Sequence, residues 1–529
     1  MKSIHKIIII LLCAAAVAGC RKSFLDRPSN SQISSTNFYK STSDLRLATA
    51  SLYAGQEWYQ FNNDAWLQLG DILSGTGSVL YNGDLVQLFT RTITAQNGNV
   101  TGGWIGLYNI VGQCNGVINA IQQQASPSIS AADKNAAIAE AKFIRAVCYY
   151  HLAVYWGAVP IVEDNSKLIK DPLLPRNIVS DVYKFVTKDL TFAANNLPKT
   201  DEKGRVTTWS AQGMLGKVYL TMAGLGKSGS RDQALLDSAI KYAGNVCKNS
   251  NLDLLPSYYD LFKAQNNDNP ESLFSLQWAA GVGYGSGNAL QGYFSPSNTL
   301  IPQKYGAWIP IQPTYDLYRM YSDQDSIRRK ATIMLTGDVY PELLQASGGY
   351  KATMVGLKKH IIGNEIDNNS PTMDVRSSPE HNAILRLADV YLVYAEAILG
   401  NDGTTSKGDA LIYFNRVRTR AGVDKVDAIT PALLRKERRI ELAFEGQYWI
   451  DLVRYSYYDP TNAVKFLNDQ DATHGRISFT YDPATKIAKR DTIAPPITLP
   501  ATINSFTLPI PSSELTSDPK LAQPPVPYY

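Results

Sequence analysis

The chain has few of the residues on which most enzymes and metal proteins depend. Its 529 residues include five cysteines and five histidines. Cys13 and Cys20 lie at an apolar N-terminal stretch, which leaves Cys114, Cys148 and Cys247, an odd number with no CxxC pair. A disulfide framework or a zinc site is therefore not expected. His151, His360, His381 and His474 are scattered, and neither a His-Glu-x-x-His helix nor a Gly-x-Ser-x-Gly elbow occurs. Gly226-Lys227-Ser228 ends like a phosphate loop, but Thr221 stands where the first glycine is required. The glycine-rich run from Gly281 to Gly287 lacks the dinucleotide spacing. These absences assign no metal, no cofactor and no catalytic residue.

Charge of one sign is scarce as well. The formal net charge is +4, and residues 1–19 hold Lys2 and Lys6 but no acid, so the remainder carries about +2. A nucleic-acid binder shows a basic face. Here the one basic patch, Arg435-Lys436-Glu437-Arg438-Arg439, has an acid within it on a helical pattern, so nucleic acid is not an expected partner. Long apolar runs are missing too. Ile7 to Val17 spans about 11 residues, well short of the roughly 20 that cross a bilayer.

What is present starts with that short run. Lys2, His5 and Lys6 precede it, and the small residues Val17-Ala18-Gly19 lead into Cys20, the layout of a secretory leader with a lipidated cysteine. The expected organisation is a signal peptide over residues 1–19, a lipidated tether over 20–35 and a single domain over 36–529. Cys20 would hold the protein on a membrane through lipid.

Helical periodicity dominates the rest. Residues 99–124 and 130–157 read as two long helices separated by Ser126-Pro127-Ser128. In the second, Phe143, Val147, Tyr150 and Val154 make one stripe and Ile144, Cys148 and Leu152 another, so burial on more than one side is expected. Further helices are read at 176–197, 208–225, 231–249, 384–400, 406–421 and 430–455. Helix pairs of this length describe an all-α, tetratricopeptide-like scaffold, mainly within 99–250 and 384–455. Glu437, Glu441 and Glu445 recur at four-residue spacing with Arg438 and Arg439 between them, a pattern of buried ion pairs more than of a catalytic pair. Arg145, Arg386 and Arg454 are read in the same way, and His151 as a satisfied core histidine.

Residues 60–103 and 264–312 differ in composition and read as long loops rich in Gly, Asn, Ser and Gln. They carry Trp66, Tyr81, Trp278, Tyr284, Tyr293, Phe294, Tyr305 and Trp308, too many large rings for a disordered segment. Residues 468–529 hold nine prolines from Pro495 to Pro527 and read as an extended tail along the helical body.

Several of these segments resemble one family. EAKFIRAVCYYHLAVYWGAVPIV at 140–162, RLADVYLVYAEAI at 386–398, FNRVRTRAGV at 414–423 and LLRKERRIELAFEGQYWIDLVRY at 433–455 are similar to the signature segments of SusD/RagB nutrient-uptake lipoproteins. FLDRPSNSQIS at 24–34 resembles the family's post-lipid start, and LPIPSSELTSDPKLAQPP at 508–525 its close. The resemblance implies a SusD-like fold with four tetratricopeptide-like pairs and a loop-rich ligand face. It implies an outer-membrane lipoprotein that binds glycan without catalysis and acts as a lid over a SusC-like TonB-dependent barrel. By position in the family pattern, the ligand aromatics would be Trp66, Tyr81, Tyr284, Tyr293, Tyr305 and Trp308. Flat rings can cover the C–H face of a sugar while neighbouring amides bond its hydroxyls. A peptide-binding member of the same uptake system, a glycoside hydrolase and a scaffold for the barrel remain as alternatives. Arg21-Lys22-Ser23 departs from the acidic residues often found after the lipid cysteine of surface-exposed lipoproteins, so the leaflet is left open.

Overall fold

Ser41 starts the first helix, α1 (Thr42–Ala50), through a capping box: its hydroxyl accepts the Asp44 N–H and the Asp44 carboxylate accepts the Ser41 N–H. The computed structural model describes residues 38–529 except Ala54, Leu80, Tyr284, 303–307, Ile309, His474 and 492–497. The expected leader, Cys20 and tether thus lie outside the described residues. After α1 comes a helical stretch, α2, made of Gln56–Tyr59, Gln60–Trp66 and Gln68–Ile72, the last two wound as π-helix. Strand β1 (Gly77–Val79) and helix α3 (Gly83–Thr90) follow. The region read as a loop over 60–103 is therefore largely helical. Its polar residues, Asn62, Asn63 and Gln68 among them, are buried and hydrogen-bonded, which composition could not show.

The long helices α4 (Gly98–Gln124) and α5 (Ala131–Trp156) come next, then α6 (Val179–Asn196), α7 (Thr208–Met222) and α8 (Gln233–Asn249). Ser130 caps α5 by accepting the Asp133 N–H at 3.0 Å, just after Pro127 has ended the preceding segment. Both α5 stripes are buried, and Phe143 meets Phe274 edge-on at 5.3 Å. Beyond α8 lie β2 (Ser272–Leu276), α9 (Leu290–Phe294) and β3 (Ile311–Pro313). Then come β4 (Asn382–Arg386), α10 (Leu387–Leu399), α11 (Gly408–Arg420), α12 (Pro431–Glu441), α13 (Gln447–Ser456) and α14 (Pro460–Ala472). In the order α4, α5, α6, α7, α8, α10, α11, each helix packs on the next, which is the tetratricopeptide-like stacking expected of the sequence. Strands are short and pair two by two: β1 with β3, and β2 with β4.

The single helix read over 430–455 is two helices. Phe444 (φ 58°) and Gly446 (φ 69°) break it, and the buried Asp71 carboxylate of α2 accepts both of their N–H groups at 3.0 Å. Gly70 must be glycine here, because a Cβ would lie 2.5 Å from the Gly446 Cα. A contact between segments nearly 380 positions apart has no local signature. The C-terminal segment lies against the helical body: Leu508 N–H donates to the Tyr155 carbonyl, Trp156 Nε1 to the Pro509 carbonyl, and Val526 N–H to the Arg176 carbonyl. It also forms a hairpin, β5 (Phe479–Asp482) with β6 (Ile487–Arg490).

Two buried ion networks tie the C-terminal helices together. The first joins five cations, Arg328, Lys359, Arg386, Arg418 and Arg420, to five carboxylates, Asp325, Glu271, Glu437, Glu441 and Glu445. Formal charge cancels, which is what makes burial of so many ions tolerable. Burial alone would raise the Glu441 carboxyl, but Arg420, Arg386 and Arg328 outweigh it and hold the group down at about 2. The second network joins Lys217, Arg231, Arg438 and Arg454 to Asp389, Glu396 and Asp451. The acids at 437, 441 and 445 are thus structural, as the spacing implied. Arg145 is likewise paired, with Asp189 at 2.8 Å. His151 corrects its reading in part: Nδ1 faces the Val147 carbonyl at 2.8 Å, but Nε2 is buried without a hydrogen-bond partner among the described residues. Burial draws this imidazole down to about 4, so it is neutral. Burial pushes the Cys114 thiol up to about 12, and Cys148 and Cys247 upward too, leaving three unpaired and unreactive thiols.

Candidate functional site

The β1–β3 ladder brings the two aromatic regions together. Val79 pairs with Ile311 in antiparallel register, so the chain leaving β1 at Tyr81 runs beside the chain entering β3 from Trp308. The Tyr81 hydroxyl donates to the Trp308 carbonyl at 2.5 Å. Tyr81 is 54% exposed, and Trp308 is half-buried. The Trp308 N–H in turn donates to the Gly292 carbonyl at 2.8 Å. That bond seats its indole on α9, where Tyr293 meets it edge-on with centroids 4.9 Å apart. Gly292 permits the seat: a Cβ there would lie 2.7 Å from the Trp308 ring. Buried Val375 completes the floor beneath.

The loop that carries α9 is fixed from behind by buried amides. Asn63, on the π-wound part of α2, donates to the Gly287 carbonyl at 2.9 Å and accepts the Ala289 N–H at 2.6 Å. Asn288 donates to the Glu380 carbonyl, and Gln291 accepts the Ile362 N–H. π-Turns often occur at functional sites. Here the wide turn aims one amide at a loop more than 220 positions away. A scaffold this well bonded lowers the ordering cost of binding. Burial raises the Tyr81 phenol above its ordinary value, so the hydroxyl stays protonated and remains a donor.

Of the six aromatics expected in the site, three are brought together: Tyr81, Tyr293 and Trp308. Tyr284 and Tyr305 lie outside the described residues. Trp66 is placed elsewhere. Only 1% of it is exposed, against Gly446 at the α12–α13 break, so the protein itself covers its ring. Trp278 and Phe294 are also core residues, the former donating to Asn382 at 2.8 Å. The sequence reading missed Asn63, Asn288, Gln291 and Gly292, because polar residues in a Gly/Asn-rich stretch look alike until their partners are known. Among the described residues no cluster of three His, Cys, Asp or Glu side chains could hold a metal, and no helix is long and apolar enough to cross a membrane.

Comparison with known proteins places this geometry in a wider group. A model of the SusD family matches residues 335–529, and one described as "Starch-binding associating with outer membrane" matches residues 23–220. A SusD-like protein of Bacteroides ovatus is 37% identical over all of this chain and 98% of its own length. A solved structure with xylogluco-oligosaccharide is 35% identical, covers 92% of this chain and 99% of its own, and superposes with a TM-score of 0.84. A laminarin-binding SusD-like protein, 21% identical over 91% of this chain and 98% of its own, shares the fold with a TM-score of 0.69. With helix stacking, loop-borne aromatic cluster and full-length identity in agreement, the chain belongs to the SusD/RagB family.

Proposed function

We propose that this protein is a non-catalytic glycan-binding lipoprotein of the outer membrane. It is held by lipid on Cys20, captures oligosaccharide at the cell exterior and delivers it to a SusC-like TonB-dependent barrel. The observation that carries the reading is the Tyr81–Trp308–Tyr293 cluster, one exposed ring and two half-buried ones on a bonded scaffold. Such rings stack on sugar C–H faces and lose little entropy in doing so. Tyr284 and Tyr305 belong to the same proposed face by their position in the chain. Trp66 is not carried forward. Asp71, whose carboxyl burial pushes up to about 7, is sealed in the core and accepts the Phe444 and Gly446 N–H groups, while Glu441 and Glu445 are committed to buried arginines, which leaves these carboxylates unsuited to acid–base work on a bound sugar.

Calorimetry across an oligosaccharide panel tests the proposal, and xylogluco-oligosaccharide is the first ligand because a relative was crystallised with it. Binding that weakens about tenfold or more in Trp308→Ala and Tyr284→Ala supports it; a tenfold change is about 1.4 kcal/mol. Binding to peptides and to no glycan would overturn it, and so would release of reducing ends by the purified protein.

A further inference from the structure

The chain holds three Asn-Gly dipeptides, at 82–83, 97–98 and 115–116. In such a pair the backbone nitrogen of the glycine can attack the side-chain amide of the asparagine, because no Cβ on the glycine obstructs the approach. The fold treats the three differently. Asn115 is buried within α4, where its side chain donates to the Val162 carbonyl at 2.8 Å and to Asn165 at 3.1 Å and accepts from Arg145 at 2.7 Å. The helix around it also fixes the backbone that would have to turn. Asn97 is buried just ahead of α4. Its Oδ1 accepts the Asn99 and Val100 N–H groups, its Nδ2 donates to the Asp84 carbonyl and to Gln87, and its carbonyl accepts the Thr101 N–H.

Asn82 has no such hold. Both Asn82 and Gly83 are exposed, at the turn from β1 into α3. Asn82 adopts φ 77° and ψ 108°, a conformation that side-chain-bearing residues take up at a cost. Attack requires ψ to rotate so that the Gly83 nitrogen swings toward the Asn82 side chain. Two bonds oppose that rotation: Val86 N–H to the Asn82 carbonyl at 2.9 Å, and Leu85 N–H to Asn82 Oδ1 at 3.4 Å. Both belong to the first turn of α3, where a helix frays. Gly83 is unhindered. As the first residue of the helix, its N–H donates to no acceptor among the described residues, and a Cβ added there would meet nothing within 4 Å.

We infer that Asn82 is a self-modification site in the folded protein. The Gly83 nitrogen bonds to the Asn82 Cγ, the bond from Cγ to the side-chain nitrogen breaks, and ammonia leaves, taking through solvent the proton that Gly83 gives up. Water then opens the resulting cyclic imide at one carbonyl or the other. One product is aspartate at position 82; the other is isoaspartate, whose main chain runs through the side chain and is longer by a methylene. Location gives the step its consequence, because Tyr81 comes immediately before and its hydroxyl donates to the Trp308 carbonyl at 2.5 Å. A longer backbone displaces that link, and a new carboxylate stands beside the rings. This consequence rests on the glycan reading, whereas the modification itself does not.

Incubation of the full folded chain in warm, mildly alkaline buffer tests the inference, with peptide mapping by mass spectrometry and isoaspartyl methyltransferase labelling as readouts. Asn82 is expected to convert while Asn97 and Asn115 keep their amides, and all three are expected to convert once urea unfolds the chain. Gly83→Ala should slow the reaction at 82 at least about tenfold with an unchanged unfolding midpoint, since its methyl has open space in the fold but crowds the attacking nitrogen. The inference is overturned if Asn82 keeps its amide in the folded chain, if Asn97 converts as fast as Asn82, or if Gly83→Ala converts like wild type. Aged wild type should also bind xylogluco-oligosaccharide at least about tenfold more weakly than aged Gly83→Ala. Equal affinity of the two overturns the link to the binding face. Absence of binding by fresh protein counts against the glycan reading alone, and the peptide map still decides the modification.

Discussion

Glu441 offers the sharpest test of how the helices are held. Its carboxylate is fully buried and contacts Arg328, Arg386 and Arg420. Replacing it with glutamine keeps the shape but removes the charge and turns an N–H₂ group toward three guanidinium donors. The carboxyl is held at about 2 against an ordinary value of 4.5. That displacement is worth about 3 kcal/mol above pH 5. Loss of one partner from a buried pair costs about 3–5 kcal/mol, so two routes agree. Glu441→Gln should therefore lower the unfolding free energy at pH 7 by about 3–5 kcal/mol, read as the urea midpoint by circular dichroism and tryptophan fluorescence. The sign with pH follows from the depressed folded value. Stabilisation is fully present above about 4.5 and is lost as pH falls toward 2, so the gap between wild type and variant should be flat from pH 5 to 8 and fall to less than half by pH 3. Asp469→Asn, which breaks the exposed Lys465–Asp469 pair, serves as the control and should cost under about 0.5 kcal/mol. Equal midpoints for Glu441→Gln and wild type at pH 7, or a gap that does not narrow in acid, would refute the reasoning.

Other consequences are as direct. Gly70→Ala places a Cβ 2.5 Å from the Gly446 Cα, a backbone atom that cannot yield, and should cost about 3 kcal/mol or more by thermal or denaturant unfolding. Gly446→Ala combines a φ of 69° with a 2.5 Å approach to the Trp66 indole nitrogen and should be at least as damaging. Gly292→Ala should unseat Trp308 and weaken glycan binding about as much as Trp308→Ala while leaving global stability nearly unchanged, which calorimetry and unfolding together would show. Cys20→Ala should release a folded, ligand-binding protein into the soluble fraction that no longer supports uptake, seen by fractionation and a growth assay.

Much of the fold was legible because helical burial repeats locally. The α5 stripes, the Ser126-Pro127-Ser128 break and the Glu/Arg spacing of α12 each follow from neighbours within a turn or two, and the structure keeps them. The 430–455 helix was misread because its break depends on Asp71, whose two accepted N–H groups come from a segment far along the chain. Trp66 and Tyr81 illustrate the same limit within the site. Both are large aromatics in one polar stretch, yet one is 1% exposed and the other 54%.

The amino-acid order by itself determined the helical scaffold, the likeness to one family and the identity of the acids and arginines that had to be buried in pairs. Tertiary structure alone decided which charges were matched and which aromatics faced outward. Periodicity reports which side of an element is apolar, whereas ion balance and ring exposure depend on segments that meet only after folding, as β1 meets β3 and as Asp71 meets the α12–α13 break.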